Sequence, residues 1–134
     1  MTTLETIEGI GKAWATKLKE GGINTQDELL QKGSQPDGRK EIATTCGIDE
    51  KKILDWVNRA DLARVKGIGG EYADLLESAG VDTVPELAQR NATNLWEKMT
   101  EVNNEKSLVR SLPSESQVEE WITQAKDLPR AVHF

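Results

Sequence analysis

The chain has 134 residues, of which 30% are charged and 37% apolar, and its formal net charge is −6. That length suits one ordinary domain burying roughly two-thirds of its surface, and the composition is globular rather than disordered. The negative balance repels nucleic acid and anionic lipid at long range, yet it is uneven. Residues 1–64 hold 10 Lys/Arg against 11 Asp/Glu, and residues 65–134 hold 7 against 12. Only the first half is therefore a place to look for a basic face.

Glu5, Glu8 and Lys12 interrupt the start of the chain, so no signal peptide or membrane span is expected. Cys46 is the only cysteine; no internal disulfide can form, which suits a reducing cytosol and predicts a cytoplasmic protein.

In chain order, the first feature is Ile7-Glu8-Gly9-Ile10-Gly11, and it returns as Val65-Lys66-Gly67-Ile68-Gly69. The echo runs on without a gap. Ala15, Leu18 and Gly22 match Ala73, Leu76 and Gly80, and Thr25, Glu28, Leu29 and Gln31 match Thr83, Glu86, Leu87 and Gln89. A repeat of this kind predicts one supersecondary unit, duplicated and packed against its copy.

Each element reads as helix. Ile10, Trp14 and Leu18 share a helical face, as do Ile68, Tyr72 and Leu76. Thr25 with Glu28 is a capping-box signature, repeated by Thr83 with Glu86, and Pro85 falls in a first turn where its missing N–H costs little. A break is expected over residues 33–38 and again over 91–93, each followed by further helices. The closing helices correspond through Ile53, Trp56, Val57 and Ala60 with Val118, Trp121, Ile122 and Ala125. Because Trp56 and Trp121 are farther apart than Gly9 and Gly67, about seven extra residues precede the last helix. Ser114 with Gln117 caps that helix and Pro129 follows it, leaving residues 129–134 as a tail that orders only if Phe134 docks. No segment alternates as a strand does.

The pattern of two glycines around an apolar residue, followed by a helix with Ala and Leu at fixed offsets, resembles the helix-hairpin-helix motif. Glycines there open backbone angles closed to other residues and let a partner approach the main chain. Amides of the hairpin and of the next helix's first turn then face outward as an anion site. Over its length the chain also resembles a bacterial family catalogued as domain-of-unknown-function family 4332. The likeness rests on residues 7–22, Gly38-Arg39-Lys40-Glu41, residues 56–62 and 65–80, Leu112-Pro113, and residues 117–129. The resemblance implies an all-α fold: a compact single domain of two pseudo-symmetric helix-hairpin-helix repeats, a SAM-like helical bundle. Repeat one covers about 3–62 and repeat two about 63–128.

For function, the hairpins Gly9, Ile10, Gly11, Lys12 with Lys17, and Gly67, Ile68, Gly69, Gly70, are the expected phosphate- or partner-binding elements. In the first, Lys12, Lys17 and Lys19 add positive charge. In the second, Gly70 stands where Lys12 stood, and Glu71, Asp74 and Glu77 follow, which is repulsive to phosphate. A P-loop is excluded, because Thr6 and Ala13 occupy its required Gly and Ser/Thr positions; a dinucleotide fingerprint fails at Tyr72. One His (His133) and one Cys give no zinc set and no nucleophilic triad, so no catalytic residue, metal or cofactor is expected. Cys46 reads as a small buried hydrophobe. Trp14, Trp56 and Trp121 read as core, while Trp96, beside Asn94 and Glu97, reads as an exposed anchor. The expectation is a non-catalytic binding module. Its partner is a protein or a second copy, the alternative being sequence-nonspecific nucleic acid held at the first hairpin, with no role for a membrane.

Overall fold

A computed structural model describes residues 4–7 and 9–133, so Glu8 of the first hairpin and Phe134 of the tail lie outside the described residues. Among those described the chain is all-helical. A short 3-10 turn at Leu4–Thr6 precedes α1 (Lys12–Glu20), α2 (Gln26–Lys32), α3 (Pro36–Cys46) and α4 (Glu50–Leu62). Then follow α5 (Gly70–Ser78), α6 (Val84–Ala88), α7 (Ala92–Lys106) and α8 (Glu115–Asp127). The backbone divides into two compact units, one of Met1–Asp61 with Ala131–Phe134 and one of Leu62–Arg130.

The repeated sequence builds the repeated helices. In the first unit Leu18, Ile23, Leu29, Ile53, Trp56 and Val57 are buried together. In the second the equivalent positions, Leu76, Val81, Leu87, Val118, Trp121 and Ile122, are buried together. Each such aliphatic side chain contributes roughly 1.5–3 kcal/mol on leaving water, so each unit carries a core of its own.

Helix ends follow local chemistry with instructive departures. The Thr25 hydroxyl accepts from the Glu28 N–H at 3.1 Å, and Ser114 and Gln117 form a full capping box. At Thr83 no such cap forms; its hydroxyl donates to the Glu86 carboxylate at 3.4 Å instead. The break expected over 33–38 is shorter, because α3 already begins at Pro36 and includes Gly38. Gly38 is needed for space rather than for a turn: a Cβ there would collide with the Lys32 carbonyl. The second break is no shorter but falls earlier, at 89–91, since the Asn91 side chain accepts from the Asn94 N–H at 3.1 Å and opens α7 at once.

Of the extra residues of the second unit, some lengthen α7, which has 15 residues against the 11 of α3. The others extend the next connection to an irregular segment at 107–114, where the first unit joins α3 to α4 through 47–49 alone. The tail differs from the expectation as well. Val132 is buried in the first core, the His133 N–H donates to the Ser34 carbonyl at 2.8 Å, and buried Arg39 donates to the His133 carbonyl at 2.8 Å. The anchor is thus an aliphatic side chain and backbone hydrogen bonds, which composition alone does not signal.

Candidate functional site

Each hairpin begins where a buried residue ends a turn. The Ile10 N–H donates to the Ile7 carbonyl at 3.1 Å, and the Ile68 N–H to the Val65 carbonyl at 3.2 Å. All four of these side chains are buried, so both hairpins are pinned from below by apolar contacts. The first glycine of each pair takes positive φ, +94° at Gly9 and +99° at Gly67, a conformation that costs L-residues about 1–2 kcal/mol. Beneath each lies the indole of its own unit's closing helix. A Cβ on Gly9 would stand 3.5 Å from Trp56 Nε1, and one on Gly67 only 2.8 Å from Trp121 Nε1.

The second glycine does something different. Gly11 and Gly69 are N-caps with extended backbone (ψ −179° and −170°), and neither has a side chain to cap its helix. The first-turn amides of α1 and α5 therefore have no side-chain oxygen from the N-cap, and both glycines are exposed.

The surroundings are duplicated as well. Trp14 packs against Trp56 with ring centroids 5.8 Å apart, and Tyr72 against Trp121 at 5.3 Å. Lys32 Nζ donates to the Gly22 carbonyl at 3.1 Å, and its counterpart Arg90 Nη1 to the Gly80 carbonyl at 3.5 Å. Backbone and support are alike in the two units; the charge on top is not.

At the first hairpin Lys12 is exposed at the head of α1. Lys17 places its ammonium 5.0 Å from the centre of the Trp14 ring, and Lys52 of α4 places its own 5.3 Å from the same ring. Lys19 reaches Glu5 at 3.9 Å, a pair half in solvent and worth at most about 1 kcal/mol. At the second hairpin Gly70 is half-buried and Glu71 exposed. Lys66 is fastened through its backbone: its N–H donates to Gln124 Oε1 at 2.9 Å, and its carbonyl accepts from Gln124 Nε2 at 3.3 Å. Leu75, at the position equivalent to Lys17, is fully buried.

Trp96, expected as an exposed anchor, is half-buried against the second core, and its indole N–H donates to the Pro113 carbonyl at 2.9 Å. It fastens the 107–114 segment rather than standing free, because the polar neighbours Asn94 and Glu97 share its helix and not its face. Cys46 is half-buried beside Gly21, and burial, aided by Glu20, pushes its thiol pKa up. Arg39 is buried; desolvation pushes its pKa down, opposed by Glu50, and its Nη1 donates to the Gly33 carbonyl at 2.8 Å. Among the described residues no group of three or more His, Cys, Asp or Glu could hold a metal ion, and no helix is long and apolar enough to cross a membrane.

Sequence reading missed Lys52. The available signal was its place one helical turn before Trp56, but the contact with Trp14 joins two helices and has no local period. What the arrangement offers chemically is two open helix N-termini, one with an exposed lysine, and a tryptophan flanked by two ammonium groups.

A family model described as "Domain of unknown function (DUF4332)" matches residues 8–128, and the chain belongs to that family. No curated protein and no solved structure matches it.

Proposed function

We propose that this family member is a non-catalytic binding module built of two helix-hairpin-helix units and acting through protein interaction in a reducing cytosol. The observation that carries this reading is the contrast between the hairpins. Both keep the positive-φ glycine, the indole beneath it and the open N-cap glycine, yet Gly70, Glu71 and Asp74 replace Lys12, Ala13 and Thr16. Geometry kept while charge reverses suits structural support of a protein-docking surface better than two phosphate sites following one duplex. With one histidine and one cysteine the sequence offers no Cys-His or Ser-His-Asp set, which supports the same reading.

A second reading, sequence-nonspecific nucleic-acid binding through the first hairpin, is supported by exposed Lys12 on the open N-terminus of α1. Under that reading, Lys12→Glu with Lys17→Glu abolishes nucleic-acid binding. The leading reading is tested by cross-linking the tagged protein in the cells that make it, followed by stringent capture. Reproducible enrichment of the same protein partner is the expected result. Recovery of nucleic acid alone, or of nothing above a tag control, would sink it.

A further inference from the structure

The two units differ in what lies over one equivalent face. In the second, the irregular segment 107–114 is laid against α5 and α7. Its Ser111 carbonyl accepts from the Tyr72 hydroxyl at 3.0 Å and its Pro113 carbonyl from Trp96. Its Val109 is buried and exchanges backbone hydrogen bonds with the Asn103 amide at 3.0 and 3.3 Å. Tyr72 and Leu75, on the face of α5, are half-buried and fully buried.

The first unit has no such segment, because 47–49 joins its helices directly. Trp14 and Lys17 occupy the positions of Tyr72 and Leu75, and Lys52 occupies that of Gln117. Two ammonium groups therefore converge on one indole. Both lysines are exposed, and among the described residues neither is ion-paired. Each ammonium group faces the Trp14 ring with no carboxylate paired to it among the described residues, so an incoming carboxylate beside either one gains a favourable charge contact.

We infer that this face of α1, with the start of α4, is a docking site for an extended acidic peptide segment of a partner protein. The segment takes the place that 107–114 takes in the second unit and sets its carboxylates against Lys17 and Lys52, beside Trp14. The second unit indicates the shape of the occupant, an irregular strip that offers backbone carbonyls to the helix face. The lysines specify its charge. This inference rests on the reading of the chain as a protein-binding module and names the class of partner.

The test uses the full chain and a labelled synthetic peptide with the sequence of residues 107–114 carrying Arg110→Glu and Ser111→Glu. Anisotropy should report binding that Lys17→Glu with Lys52→Glu weakens about tenfold or more, as loss of complementary charge does. The charge-matched control Lys40→Glu with Lys98→Glu should leave it unchanged. Peptide addition should also shift tryptophan emission in the parent chain and not in Trp14→Phe. Thermal melts of all variants separate lost binding from lost folding, and Lys17→Ala with Lys52→Ala serves if the double Glu variant melts early. Equal binding by parent and double variant, or absence of peptide binding by the parent, overturns the docking site. Displacement of the peptide by a duplex oligonucleotide with steep salt dependence overturns it in favour of a general polyanion surface. If the peptide fails while cross-linking still recovers a protein partner, only the site is wrong; failure of both removes the module reading too.

Discussion

Gly9 and Gly11 look interchangeable in the sequence, and their backbones separate them. Gly9 needs a conformation L-residues resist, whereas Gly11 has φ −83° and nothing within 4 Å of the place a Cβ would take. Gly9→Ala should cost about 1–2 kcal/mol from backbone strain. Gly67→Ala should cost more, because its Cβ also meets Trp121. Gly11→Ser should be neutral or stabilising by a few tenths of a kcal/mol, through a new N-cap. Urea unfolding of the three variants checks the order, and a Gly11→Ser loss equal to that of Gly67→Ala would contradict it. Cys46 supplies the pH prediction. Burial raises its native pKa above the ordinary thiol value of 9.0, so its contribution to stability is complete below that value and is lost as pH climbs through the native one. The parent chain should lose more stability than Cys46→Ala above pH 9.0, and alkylation of the thiol should be slower in the native than in the unfolded protein. The paired-glycine turns were legible because glycine spacing is local. Which glycine takes positive φ, and that an indole lies beneath it, was not, since Gly9 and Trp56 meet only through the tertiary fold.

Among the elements, the caps were the best-read features where the hydrogen bond is local and nothing competes for the capping oxygen. Thr25→Ala and Ser114→Ala should each cost about 1 kcal/mol. Thr83→Ala should cost less, because the Thr83 hydroxyl serves Glu86 rather than the backbone. Thermal unfolding of the three variants tests the ranking, and equal losses at Thr25 and Thr83 would refute it. The misreadings have a common source. Gly38 looked like a break because glycine often is one, but here it admits the Lys32 carbonyl inside a helix. Trp96 looked exposed because its sequence neighbours are polar, but its partner Pro113 lies in the segment after α7. Both residues answer to contacts between elements, which helical periodicity does not encode.

At the scale of the whole molecule, duplication was plain from residue offsets, and each unit carries the core those offsets implied. The return of residues 131–133 to the first unit was not legible, since its cause is one buried valine and the carbonyls of Ser34 and His133. Charge over the repeat carries the functional account: like backbones support unlike surfaces, with the cations gathered on the first unit around Trp14. Fluorescence anisotropy of a short labelled duplex, titrated at about 50 mM and about 200 mM salt, tests that account most directly. Counterion release makes phosphate contacts fall steeply between those salts. The account predicts no duplex binding even at the lower salt, where electrostatics are strongest, whereas binding that collapses at the higher salt would contradict it and make the first hairpin a nucleic-acid site.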